Sequence, residues 1–116
     1  MRKHIIVNLK LGRVYYYEEE CCQSEYPAGS GKPDTPTPPG HYKVVDKLIF
    51  ADSNASEVDL GSRRLVLSSD KTCLHGSWHG PVEGQVSGGC VRMHNADIEE
   101  LFEKVEIGTP VFMIEG

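Results

Sequence analysis

The sequence predicts a mostly β, mixed sandwich-like fold with one short α-helix. Three observations carry that reading. Runs of β-branched and aromatic residues recur along the chain, clusters of Gly, Pro and acidic residues separate them, and a single stretch near the C-terminus spaces its apolar residues as a helix does.

Ile5, Val7 and Leu9 alternate with Ile6, Asn8 and Lys10, and Gly12 precedes Val14 and Tyr15 to Tyr17, so the chain is expected to open as a β-hairpin. Glu18 to Glu20 read as a solvated turn without Gly, and Cys21 to Tyr26 as a third strand. From Gly29 to Gly40, in GSGKPDTPTPPG, Pro33, Pro36, Pro38 and Pro39 remove backbone donors and fix φ. That segment is predicted to be a stiff, ordered loop in which neither helix nor central strand persists. His41 to Phe50 returns to strand character, Ala51 to Gly61 reads as a polar loop, and Arg64 to Leu67 and Thr72 to His75 read as two short strands.

Asn95 is a suitable N-cap for the helix, with Asp97, Glu99 and Glu100 complementing the dipole in its first turn. Ile98, Leu101, Phe102 and Val105, at i, i+3, i+4 and i+7, form its apolar stripe. Gly108 is the expected C-terminal stop, and Pro110 to Ile114 the last strand.

A chain of 116 residues, 39% hydrophobic and 25% charged, fits one globular domain over 1–116. Its net charge of −5 supplies no general phosphate-binding surface, so nucleic acid is not an expected partner. No apolar stretch approaches the ~20 residues of a membrane-spanning helix. The first residues, MRKHIIVNLKLGRVYYY, alternate polar and apolar as a strand does and show no apolar secretory core. Cys21, Cys22, Cys73 and Cys90 lack paired spacing, and the first two are adjacent, so no disulfide framework is predicted.

The segment SGGCVRMHN, Ser87 to Asn95, is where chemistry is expected. Gly88 and Gly89 leave room for a carbonyl to approach Cys90 and nearby amides. A nearby helix N-terminus, together with Arg92, is expected to favour thiolate over thiol. A nucleophilic cysteine needs a base, and His75, His79 and His94 are the candidates. His75 is preferred because it ends a predicted strand, whose backbone fixes its direction, with Gly76 clearing space beside it. His94 also suits a local role at the helix start. Period-two alternation puts Cys73 on the same strand face as His75.

The segment LHGSWHGPVEGQVSGGCVRMHNADIEEL resembles the catalytic signature of the L,D-transpeptidase (YkuD) family: His-Gly, an intervening loop, then Ser-x-Gly-Cys followed by an apolar residue and Arg. IIVNLKLGRVYYY, GKPDTPTPPGHYKV, LGSRRLVL and IGTPVFMI extend the similarity over nearly the whole chain. The resemblance implies that Cys90 attacks a tetrapeptide stem of peptidoglycan, expels D-alanine and forms a thioester, with His75 as base. An acceptor amine then gives a 3→3 cross-link; water instead makes the site an L,D-carboxypeptidase.

The resemblance further implies roles near substrate for Ser87 and Arg92, and oxyanion donors in the amides of Gly89 and Cys90. It implies carbapenem-type β-lactams as covalent inhibitors, a cell-wall or extracytoplasmic location, and no metal or organic cofactor. Many relatives carry His where this chain has Gly88, and Ser77 stands where Thr commonly follows His-Gly. Trp78 is expected to be partly buried or to stack on substrate. Two rival readings are a metal-binding module using Cys73, His75, His79, Cys90 and His94, and a catalytically silent wall-binding domain.

Overall fold

In the computed structural model, residues 1–50 and 59–116 are described. Among them are nine strands and one helix, in the order β1 Lys3–Asn8, β2 Arg13–Glu18, β3 Cys21–Gly31, β4 Gly40–Ile49, β5 Arg63–Leu67, β6 Cys73–His75, β7 Gly84–Ser87, β8 Val91–Met93, α1 Asn95–Lys104 and β9 Pro110–Ile114. Most of the polar loop expected from Ala51 to Gly61 lies outside the described residues.

The opening hairpin forms as its alternation requires. Ile5 and Val7 face inward opposite Tyr16 and Val14 across an antiparallel β1–β2 register. Gly12, at φ +66°, closes the turn by donating its N–H to Asn8 O. The acidic turn lacks Gly, and Glu19 itself takes φ +55° there; its carboxylate accepts from the Arg2 amide at 2.8 Å.

The strands follow the order β2-β1-β9-β4-β5-β6-β8-β3-β7, and an additional β2–β3 pairing closes the sheet on itself. The long strands β3 and β4 make this possible. β3 pairs with β2 through Pro27 and then with β8 and β7, while β4 pairs with β9 through Lys43 and then with β5. Each therefore bends from one half of a sandwich-like barrel into the other. The enclosed core includes Ile5, Val14, Tyr16, Val44, Leu65, Leu74, Val91 and Met113, and α1 adds Ile98, Leu101 and Phe102 from one side.

Four expectations need correction. The third strand runs five residues beyond Tyr26, because Ala28 to Gly31 find partners on β7 and β8. The proline segment is thereby cut to 32–39. The N-cap of α1 is His94, without a side-chain cap bond, and Asn95 Oδ1 instead accepts the Ser62 amide at 2.7 Å. Lastly, α1 ends at Lys104 with Val105 as its cap, since Val105 turns into the core; Gly108, at φ +99°, belongs to the turn before β9. β7 and β8 were not anticipated at all: three or four residues are too few to show a period.

Candidate active site

β6 lies between β5 and β8. Its register sets His75 opposite Arg64 on one side and opposite Arg92 on the other, while Leu74 pairs with Leu65 and Val91. Alternation along these strands sends the three leucine and valine side chains into the core and gathers the polar ones on the other face. Cys73, two residues before His75, joins that face as its spacing requires. The sulfurs of Cys73 and Cys90 and a ring nitrogen of His75 all lie within 4.8 Å of one another. Sequence reasoning linked Cys90 to His75; the strand pairing brings them together.

His75 is buried, and its Nδ1 lies 2.6 Å from the carbonyl oxygen of Gly76. A carbonyl only accepts, so Nδ1 carries the proton and the neutral ring keeps its lone pair on Nε2. Burial pushes the imidazole below its ordinary pKa, opposed by the Gly76 bond and the Asp59 charge; Arg92 and Arg64 push it down further.

Cys90 is half-buried, while Cys73 is fully enclosed. The Cys73 thiol beside it, followed by Arg64, the Cys73 amide and Arg92, draws the Cys90 thiol down to about 7 against the opposing effect of burial. Cys73 moves the other way, held far above the usual thiol range by the neighbouring Cys90 sulfur and by burial. The expected helix-dipole contribution is displaced. β8 separates Cys90 from α1 by three strand residues, roughly 10 Å, and a dipole effect fades within the first turn.

The turn that presents Cys90 is tied together internally. Gly89 has φ +133°, and a Cβ there would sit 3.0 Å from Lys71 O. Its N–H donates to Ser87 Oγ at 3.2 Å, and that hydroxyl in turn donates to the carbonyl of Cys90. Ser87 thus holds the backbone of the turn, and the Gly89 amide, an expected oxyanion donor, is already engaged. Gly88 has open space around it. The proline-rich segment braces the same turn: Lys32 N and Thr35 Oγ1 both donate to Ser87 O, and Thr37 Oγ1 accepts the Gly31 amide.

Arg92 Nη1 donates to Pro81 O at 3.1 Å, tying the loop before β7 to the site. Its Nε is buried without a hydrogen-bond partner among the described residues, as is that of Arg64. Asp59, which no motif flagged, organises the loop after His75. Its carboxylate accepts the amides of Trp78, His79 and Gly80 and the Ser77 hydroxyl, at 2.7 to 3.0 Å. Burial favours the neutral acid, but these donors outweigh it and hold Asp59 well below the usual carboxylate range. Trp78 is half-buried in this loop.

Of the five ligands in the metal-binding reading, only Cys73, His75 and Cys90 converge. His79 is exposed, and His94 lies at the surface 3.9 Å from Glu83.

The family model for the L,D-transpeptidase catalytic domain (YkuD) matches residues 2–113. A Bacillus licheniformis protein named for L,D-transpeptidase YkuD is 34% identical over 108 residues, which are 92% of this chain and 62% of that protein. This chain therefore spans less than two thirds of that relative. The NMR structure of the catalytic domain from the Enterococcus faecium L,D-transpeptidase superposes with a TM-score of 0.81 at 28% identity, covering 97% of this chain and 96% of that one. The same domain acylated by ertapenem gives 0.79 at 29% identity and 98% coverage of both. With the match running from the opening hairpin to the last strand, the chain belongs to the L,D-transpeptidase catalytic-domain family.

Proposed function

We propose that this chain is a peptidoglycan L,D-transpeptidase in which Cys90 is the nucleophile and His75 the general base. The observation that carries the reading is the meeting of a half-buried, acidified Cys90 sulfur with a buried imidazole whose other nitrogen is fixed as a donor. The Cys90 sulfur attacks the carbonyl before the terminal D-alanine of a stem tetrapeptide, and its proton passes through His75 Nε2 to the leaving amine. A thioester remains. His75 then takes a proton from the acceptor amine of a neighbouring stem, and the new amide forms as the Cys90 sulfur leaves.

In this reading the Cys90 amide serves the oxyanion, while Gly89 and Ser87 hold the turn that aims it. Arg92, anchored at one end on Pro81, offers its remaining donors to a stem carboxylate. The ertapenem-acylated relative supports carbapenems as covalent inhibitors here. Peptidoglycan stems as partners and a cell-wall site of action follow from the same reading. Among the described residues no helix is long and apolar enough to cross a membrane.

Incubation with a disaccharide tetrapeptide tests this. Release of D-alanine with a 3→3 linked dimer is expected, and none from Cys90→Ala. D-Alanine without dimer assigns the site to L,D-carboxypeptidase chemistry, and stem binding without any product assigns it to a silent wall-binding domain.

A further inference from the structure

Cys73 is the one member of the cluster that the proposed reaction does not use. We propose that Cys73 and Cys90 form a reversible internal disulfide, which withdraws the Cys90 sulfur from reaction and shields it from irreversible oxidation.

The backbone is already arranged for it. Leu74 pairs with Val91 and His75 with Arg92 in a parallel register, so Cys73 and Cys90 stand across from each other one step earlier. Facing positions on neighbouring strands are about 5 Å apart, within the Cα span a disulfide bridges. Both sulfurs point to the same face and lie within 4.8 Å, and both are free thiols. Their burial divides the labour. Cys90 is reachable from solvent, whereas Cys73 is enclosed, so an oxidant meets Cys90 first and Cys73 is reached only through it. Cys21 and Cys22 are exposed on β3 and take no part in this cluster.

The oxidant class is a peroxide. The Cys90 thiolate attacks one peroxide oxygen and breaks the O–O bond; hydroxide leaves and, with the thiol proton, becomes water. Cys90 is now a sulfenic acid. The Cys73 sulfur attacks the Cys90 sulfur, the S–O bond breaks, and the departing hydroxide takes the Cys73 proton as a second water. Two thiols are oxidised to one disulfide as one peroxide is reduced to two waters. A thiol reductant reverses the bridge by exchange. Without Cys73, the sulfenic acid stands open to further oxidation to sulfinic acid.

The bridge itself does not depend on the transpeptidase reading; only its effect on activity does. Cleavage after Lys71 and Arg92 releases one tryptic peptide, residues 72–92, holding both cysteines, while Cys21 and Cys22 fall in another. Wild-type protein is treated with hydrogen peroxide, alkylated with iodoacetamide, digested and weighed, with and without dithiothreitol before alkylation. The expected peptide is lighter by two hydrogens and takes no alkyl group until reduction, after which it takes two. In Cys73→Ser and Cys73→Ala, the share of oxidised Cys90 that reaches sulfinic acid should rise on the order of tenfold, a ratio that a slower first oxidation of a less acidic thiol leaves unchanged.

Sulfinic acid at Cys90 beside an unmodified Cys73 in the wild type, in the share of oxidised protein seen in the variants, overturns the proposal. So does a bridge from Cys90 to Cys21 or Cys22. Ertapenem labelling of Cys90, lost on oxidation and regained on reduction, links the bridge to activity. A bridge that forms and reverses in a protein that never accepts ertapenem upholds the bridge and refutes the catalytic reading instead.

Discussion

His75 Nδ1 donates to the carbonyl oxygen of Gly76 across 2.6 Å, a bond to its own chain neighbour that fixes the tautomer and turns Nε2 toward the work of a base. Removing the ring should cost what general-base catalysis contributes. His75→Ala is expected to slow acylation of Cys90 by a carbapenem about 10²- to 10⁴-fold while leaving the fold intact by circular dichroism. A rate within a few-fold of wild type would exclude His75 as the base.

The pH dependence follows from Cys90. Its thiol is drawn down to about 7, so thiolate reactivity should rise with pH to a midpoint near 7 and stay level above it, where an ordinary cysteine is still protonated. His75 is shifted below its ordinary value and is neutral on the plateau, so its protonation does not limit it there. The apparent midpoint belongs to the Cys73–Cys90 pair. Arg64→Gln and Cys73→Ala are each expected to move it upward, measured by alkylation rate against pH.

Asp59 should matter to stability as well as to the site. Its folded pKa is depressed, so its contribution is complete above the unfolded value near ~4 and is lost as pH falls below that. Asp59→Asn is expected to lower stability by about 2 kcal/mol at pH 7, read from the urea midpoint at unchanged slope. The difference from wild type should shrink as the buffer is taken from pH 5 toward pH 2.

The two glycines before Cys90 should behave differently. Gly89→Ala places a side chain at φ +133° against Lys71 O and is expected to destabilise by about 1–3 kcal/mol and displace the turn. Gly88→Ala meets nothing within 4 Å and should change stability by less than about 0.5 kcal/mol. Thermal melts of both variants, with ertapenem labelling of Cys90, separate the outcomes.

Periodicity fixed the hairpin, the strand ending at His75, the helix and the closing strand, because local alternation and spacing report which face each residue buries. The same alternation placed Cys73 beside His75. Other features had no local signal. β7 and β8 are strands only because β3 and β6 offer them partners, and their presence moved α1 away from Cys90 and left Arg64, Arg92 and Cys73 to acidify it. Asp59 gained its role from the Ser77 hydroxyl and the three backbone amides that fold around it, eighteen residues or more along the chain. The sequence by itself determined which residues carry reactive atoms and which faces are apolar. Tertiary structure alone decided which of those atoms meet, since pairing between strands distant in sequence depends on the whole sheet closing.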